Sequence, residues 1–249
     1  MGRSITKVSF MRLFNKTLLL LKIKERTMSF NKGIFVAFAI IYLCIAFYTI
    51  FTYKDRLRED GVRYFFYFTL SYASWFILLI LRHIIPDFFS IVFANTFAAI
   101  GTIFLYLTVR TMVGLEHEWH HRYLIPILLI FIASIIYTYF IFSIKMRFFA
   151  YSSFFAFYYG LIAWIFYTFK PLVFELFEKF SFFVFFIGFL IFFGIALYSL
   201  FLHITPYLFG NSIVLTSLFG AYMLFLSIWS ALALKSKLKT DSIAFVKHI

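Results

Sequence analysis

Seven apolar blocks, each near the roughly 20 residues that a helix needs to cross a bilayer's hydrocarbon core, limit what this chain can fold into. They cover residues 33–52, 64–81, 88–109, 123–142, 148–169, 180–202 and 211–234. All ten acids (Glu25, Asp55, Glu59, Asp60, Asp87, Glu116, Glu118, Glu175, Glu178 and Asp241) fall between or beyond these blocks. Lipid offers the backbone no hydrogen-bond partner, so a spanning segment closes its own bonds as a helix or joins a closed barrel. The alternating ten-residue strands of a barrel are missing from the pattern. The expected fold is therefore all-α, a polytopic integral membrane protein with seven transmembrane helices. Residues 1–32 form a basic N-terminal tail, 33–234 the membrane domain and 235–249 a short basic tail.

Composition supports that class, because 64% hydrophobic and 13% charged residues lie far from the half-apolar, quarter-charged make-up of a soluble domain. The 41 Phe and 17 Tyr read as lipid-facing and packing residues in place of Leu and Val. Cys44 is the single cysteine, which excludes an intrachain disulfide. A net charge of +13 suggests nucleic acid at first sight, but the cations flank apolar blocks, where they set membrane orientation. The odd-numbered connections carry eight Lys and Arg against three in the even-numbered ones, and Lys235, Lys237, Lys239 and Lys247 join the odd side. The expectation is a C-terminus in the cytoplasm and an N-terminus outside. The tail before residue 33 argues the other way, with eight basic residues against Glu25. Its apolar patch, Leu18 to Leu21, is too short for a span and no cleavage site follows, so translation is expected to start at Met28.

Within the blocks the chemistry is sparse. Ion-coupled carriers hold ionisable groups inside their spans, and none of the acids lies there, which disfavours proton- or sodium-driven transport. Four residues are candidates for ligand binding or helix packing: Arg82, Asp87, Asn95 and Arg110. Asn95 lies well inside the third block, where its amide requires a partner, expected on a neighbouring helix. Ala94, Ala98, Ala99 and Gly101 on the same block permit close helix approach. Arg82 and Asp87 flank a tight turn at Pro86 and are expected to pair, either as a solvated interfacial pair or as one wall of an outward-facing pocket. Arg110 closes the block.

His117-Glu118-Trp119-His120-His121 satisfies H-E-x-x-H, in which His117 and His121 ligate zinc and Glu118 activates water. The match is read as incidental, since zinc chemistry also needs a third ligand and a walled site. No cofactor and no catalytic residue is expected. Trp119, Trp164 and Trp229 map to the cytoplasmic interface as aromatic anchors.

The run Leu81-Arg82, Ile85-Pro86-Asp87, Ser90, Ala94-Asn95, Gly101, Tyr106, Arg110, Gly114, with Arg147, Ser152 and Ser153 at the entry to the fifth block, resembles the membrane-embedded N-terminal region of bacterial GGDEF diguanylate cyclases. In that family the last span leads into the cyclase domain; here residues 235–249 follow, without a GGDEF-like motif. The resemblance implies a sensory or signalling module of the bacterial inner membrane that is not itself an enzyme. The expected partners are the lipid bilayer, a cytoplasmic signalling protein and a second copy of the chain, with no nucleic acid. The alternatives are an uncoupled small-molecule or lipid-related carrier and a membrane scaffold.

Overall fold

The computed structural model describes residues 32–82, 84–115, 121–141, 143–169, 175–201 and 219–233. The basic tail with Met28, most of the His117–His121 motif, Trp119, the sixth connection and residues 235–249 lie outside the described residues.

The chain forms α1 (Lys32–Thr52), a 3-10 turn at Lys54–Arg56, α2 (Asp60–Ile80), α3 (Asp87–Met112), α4 (His121–Phe140), α5 (Ile144–Thr168) and α6 (Glu175–Phe201). A shorter apolar helix follows, α7 (Phe219–Ala233). Among the described residues there is no strand; an isolated bridge between Arg82 and Ile85 marks the α2–α3 turn. Among the described residues six helices are long and apolar enough to cross a membrane. The outer surface agrees with that environment, since Phe51, Ile130, Tyr137 and Tyr167 are all at least 66% exposed. A belt of large apolar side chains on this scale suits lipid and not water. The molecule is an all-helical bundle of membrane-inserted character.

The helices run further into polar sequence than the apolar blocks do. Backbone bonding continues through the interface, so α2 takes in Arg63, α3 takes in Arg110 and α5 takes in Arg147, all three expected in connections. Ser143 caps α5 by accepting the Met146 N–H at 3.3 Å. At its far end α3 stops at Gly114, whose φ of 74° is open to glycine at little cost. The Leu115 N–H bonds back to the Arg110 carbonyl at 3.0 Å and the Gly114 N–H to Thr111 at 3.3 Å, the pair of bonds that ends a helix with a left-handed glycine.

Lipid gives helices no hydrophobic reason to associate, so close packing and interhelical hydrogen bonds must do it. The α2–α3 and α5–α6 pairs pack most extensively. Ala94, Ala98 and Ala99 are buried, as the small-residue reading expects. At Gly101 an added Cβ would lie 2.5 Å from the Tyr72 ring and 3.2 Å from Ser71 Cβ, so α2 approaches α3 there as closely as a bare backbone allows.

Candidate functional site

The end of the bundle carrying Arg82 is built by two helix turns. Beyond α2 the Ile84 and Ile85 N–H groups both bond to the Leu81 carbonyl, at 2.9 and 3.3 Å, and Pro86 then runs extended at the α3 N-cap, with φ −52° and ψ 138°. That extension opens the chain between Arg82 and Asp87. Both are exposed, and among the described residues no ion pair joins them, contrary to the sequence expectation. Asp87 begins α3, where the positive end of the helix dipole favours a carboxylate.

The α4–α5 turn packs beside this one. Phe88 meets Tyr139 at 5.2 Å and Phe140 at 6.1 Å between ring centroids. The Arg147 guanidinium lies 5.4 Å from the Tyr139 ring centroid, donates from Nη2 to the Thr138 carbonyl at 3.3 Å, and stands close enough to Arg82 for their charges to repel. The structure thus brings Arg147, at the entry to the fifth apolar block, to the end of the bundle where the second connection carries Arg82 and Asp87.

The other two candidates are separate. Asn95 is half-buried, and its Nδ2 donates to the Ile91 carbonyl of its own helix at 2.7 Å. The expected neighbour-helix partner is replaced by a carbonyl one turn back, the nearest acceptor a mid-helix amide can reach. Arg110 is at the opposite end of α3, about 35 Å from Asp87 at 1.5 Å per residue. It is 6% exposed and donates from Nη1 to the Tyr106 hydroxyl at 3.3 Å.

Sequence reasoning missed the polar centre of the bundle. The Tyr72 hydroxyl lies 3.0 Å from Thr102 Oγ1 and 2.9 Å from the Tyr159 hydroxyl, joining α2, α3 and α5. Thr102 gives its proton to the Ala98 carbonyl at 2.9 Å, so Tyr72 donates to Thr102 and accepts from Tyr159. Tyr42 of α1 packs edge-on to Tyr72 at 5.4 Å, and Tyr222 of α7 edge-on to Tyr159 at 5.7 Å. The Tyr222 hydroxyl lies over Gly188 of α6, where a side chain would collide with it. Tyr42, Tyr72, Tyr159 and Tyr222 are each no more than 3% exposed, and the Tyr42 and Tyr222 hydroxyls have no hydrogen-bond partner among the described residues. Tyrosines at mid-span positions were the available signal, hidden because aromatic residues occur throughout the spans.

Trp229 also departs from expectation. It is fully buried, not an interfacial anchor, and its indole N–H donates to Ser181 Oγ at 2.8 Å between α7 and α6. An indole N–H away from water requires such a partner. Trp164, 62% exposed, faces outward. Just beyond α1, burial pushes the Tyr53 phenol above its ordinary range, with Tyr48 adding to the effect and Arg56 opposing it.

No family model, curated protein or solved structure matches the chain. The arrangement consists of hydroxyls at the centre and cations at one end. Such groups bind, orient and exchange hydrogen bonds.

Proposed function

We propose that this chain is a seven-helix sensory module of the bacterial cytoplasmic membrane, with the N-terminus outside and the C-terminus in the cytoplasm. A signal acting at the Arg82 end shifts α2 and α3, and the shift reaches α7 and a cytoplasmic partner through the tyrosine centre. The observation that carries this reading is the Tyr72 hydroxyl, bonded to both Thr102 and Tyr159. Relay requires an element with two arrangements. Tyr159 supplies one: its proton goes to Tyr72 in this structure, and its ring packs edge-on to that of Tyr222 at 5.7 Å, whose hydroxyl makes no hydrogen bond within 3.5 Å among the described residues. Moving α2 away from α5 frees the Tyr159 proton for Tyr222, which couples the α2–α3 pair to α7. The likeness of the third span to cyclase-linked membrane regions supports the same reading.

Affinity purification of the full chain from native membranes in mild detergent, with mass spectrometry of what accompanies it, tests the proposal. The expected result is a stoichiometric cytoplasmic protein with cyclase, phosphodiesterase or kinase chemistry, whose output changes when Tyr72→Phe replaces the wild type. A chain recovered alone, and giving unassisted solute uptake in vesicles, is a carrier and overturns the relay.

A further inference from the structure

Among the described residues the Arg82 end carries more positive charge than is neutralised there, and an apolar groove begins at the same place. Arg147 is half-buried, its Nε is buried without a hydrogen-bond partner among the described residues, and Arg82 repels it. Lys145 lies two residues away on the same turn of α5. Asp87 is the carboxylate at this end, and among the described residues it pairs with none of the three cations. Burying part of a guanidinium beside a second one is unfavourable unless an anion joins them.

The groove lies between α4 and α5 and has a volume of about 450 Å³. Its walls include Ile127, Phe131, Thr138, Ile141, Phe149 and Phe154. Thr138 belongs to both features, since its carbonyl accepts the Arg147 N–H. From Ile141 to Ile127 the groove follows α4 for about 21 Å at 1.5 Å per residue. It opens toward lipid past Ile130 and Tyr137, which are 67% and 66% exposed.

The geometry points to a binding site for one anionic phospholipid, with its phosphate on Arg147 and Arg82 and an acyl chain along the α4–α5 groove. A guanidinium fork matches the oxygens of a phosphate, and the groove gives an acyl chain protein contacts without removing it from an apolar environment. A zwitterionic lipid brings its own cation and leaves the pair of arginines uncompensated. The site is separate from the tyrosine centre and stands whether or not the chain relays a signal.

Native mass spectrometry of the full chain in detergent, titrated with phosphatidylglycerol or with phosphatidylcholine of the same acyl chains, tests it. The expected result is about tenfold tighter retention of phosphatidylglycerol, on the scale of a hydrogen bond to a charged group. R147Q brings retention down to the phosphatidylcholine level. A150F, which fills the groove and leaves both arginines in place, also weakens phosphatidylglycerol retention. R58Q, an exposed cation beyond α1, leaves it unchanged. Equal retention of the two lipids by the wild type overturns the site. So does a loss in R58Q matching that in R147Q, which would mean diffuse surface charge. Wild-type retention by A150F would mean headgroup capture on exposed cations alone, and equally overturns it. If R147Q fails to fold, the wild-type comparison and A150F decide between the same outcomes.

Discussion

A phenol surrounded by hydrocarbon loses its water partners, and Tyr72 replaces them with Thr102 and Tyr159 at 3.0 and 2.9 Å. Tyr72→Phe removes both bonds without opening a cavity, and is expected to lower stability in detergent by about 1 kcal/mol, measured by thermal or denaturant unfolding. Ser181→Ala tests a different consequence, because it leaves the Trp229 indole N–H buried and unpaired. The expected loss is about 1–3 kcal/mol, larger than for Tyr72→Phe, where the Tyr159 hydroxyl that loses its acceptor has Tyr222 beside it. Asn95→Leu provides the contrast: its amide bonds within its own helix, so the change is expected to stay within about 0.5 kcal/mol. A loss above that range would mean that Asn95 holds a second helix. These three positions also show what a sequence reveals at this scale. A lone amide in an apolar span is conspicuous although the structure gives it a local partner. Tyr72, one of 17 tyrosines, is not conspicuous, and its importance arises from Thr102 and Tyr159, 30 and 87 residues further along the chain.

At the scale of the element, α3 is defined at both ends by residues that the sequence displays. Pro86 and Asp87 open it, and Arg110 and Gly114 close it. Gly114→Ala forces a side chain into the left-handed region, at a cost of about 1–2 kcal/mol, measurable as a lower unfolding midpoint with little change in helix content. The apolar blocks located the six long helices because hydropathy and the length of a crossing are local properties. Their ends were less legible: α5 starts before Arg147 because Ser143 caps it there, and a capping hydroxyl contributes nothing to a hydropathy window. The approach of Arg147 to the end of the bundle that carries Arg82 was not legible either. It depends on the α2–α3 and α4–α5 turns packing through Phe88 and Tyr139, a contact between segments distant in sequence.

For the whole molecule, the proposed relay is directional: the Arg82 end would receive the signal outside and α7 would deliver it inside. Starting from α2, that direction requires six successive crossings, with the connection after α1 and the tail beyond α7 both in the cytoplasm. Cysteine labelling reads this directly, because Cys44 is the single native thiol and C44S clears the background. Single substitutions R58C, R82C, K145C and K235C are placed in that chain and treated with a membrane-impermeant maleimide, on intact spheroplasts and again after permeabilisation. The account predicts that R82C and K145C label in intact spheroplasts, and that R58C and K235C label after permeabilisation alone. Labelling of K235C together with R82C in intact spheroplasts would place the last helix's exit on the receiving side, and would contradict a relay to the cytoplasm.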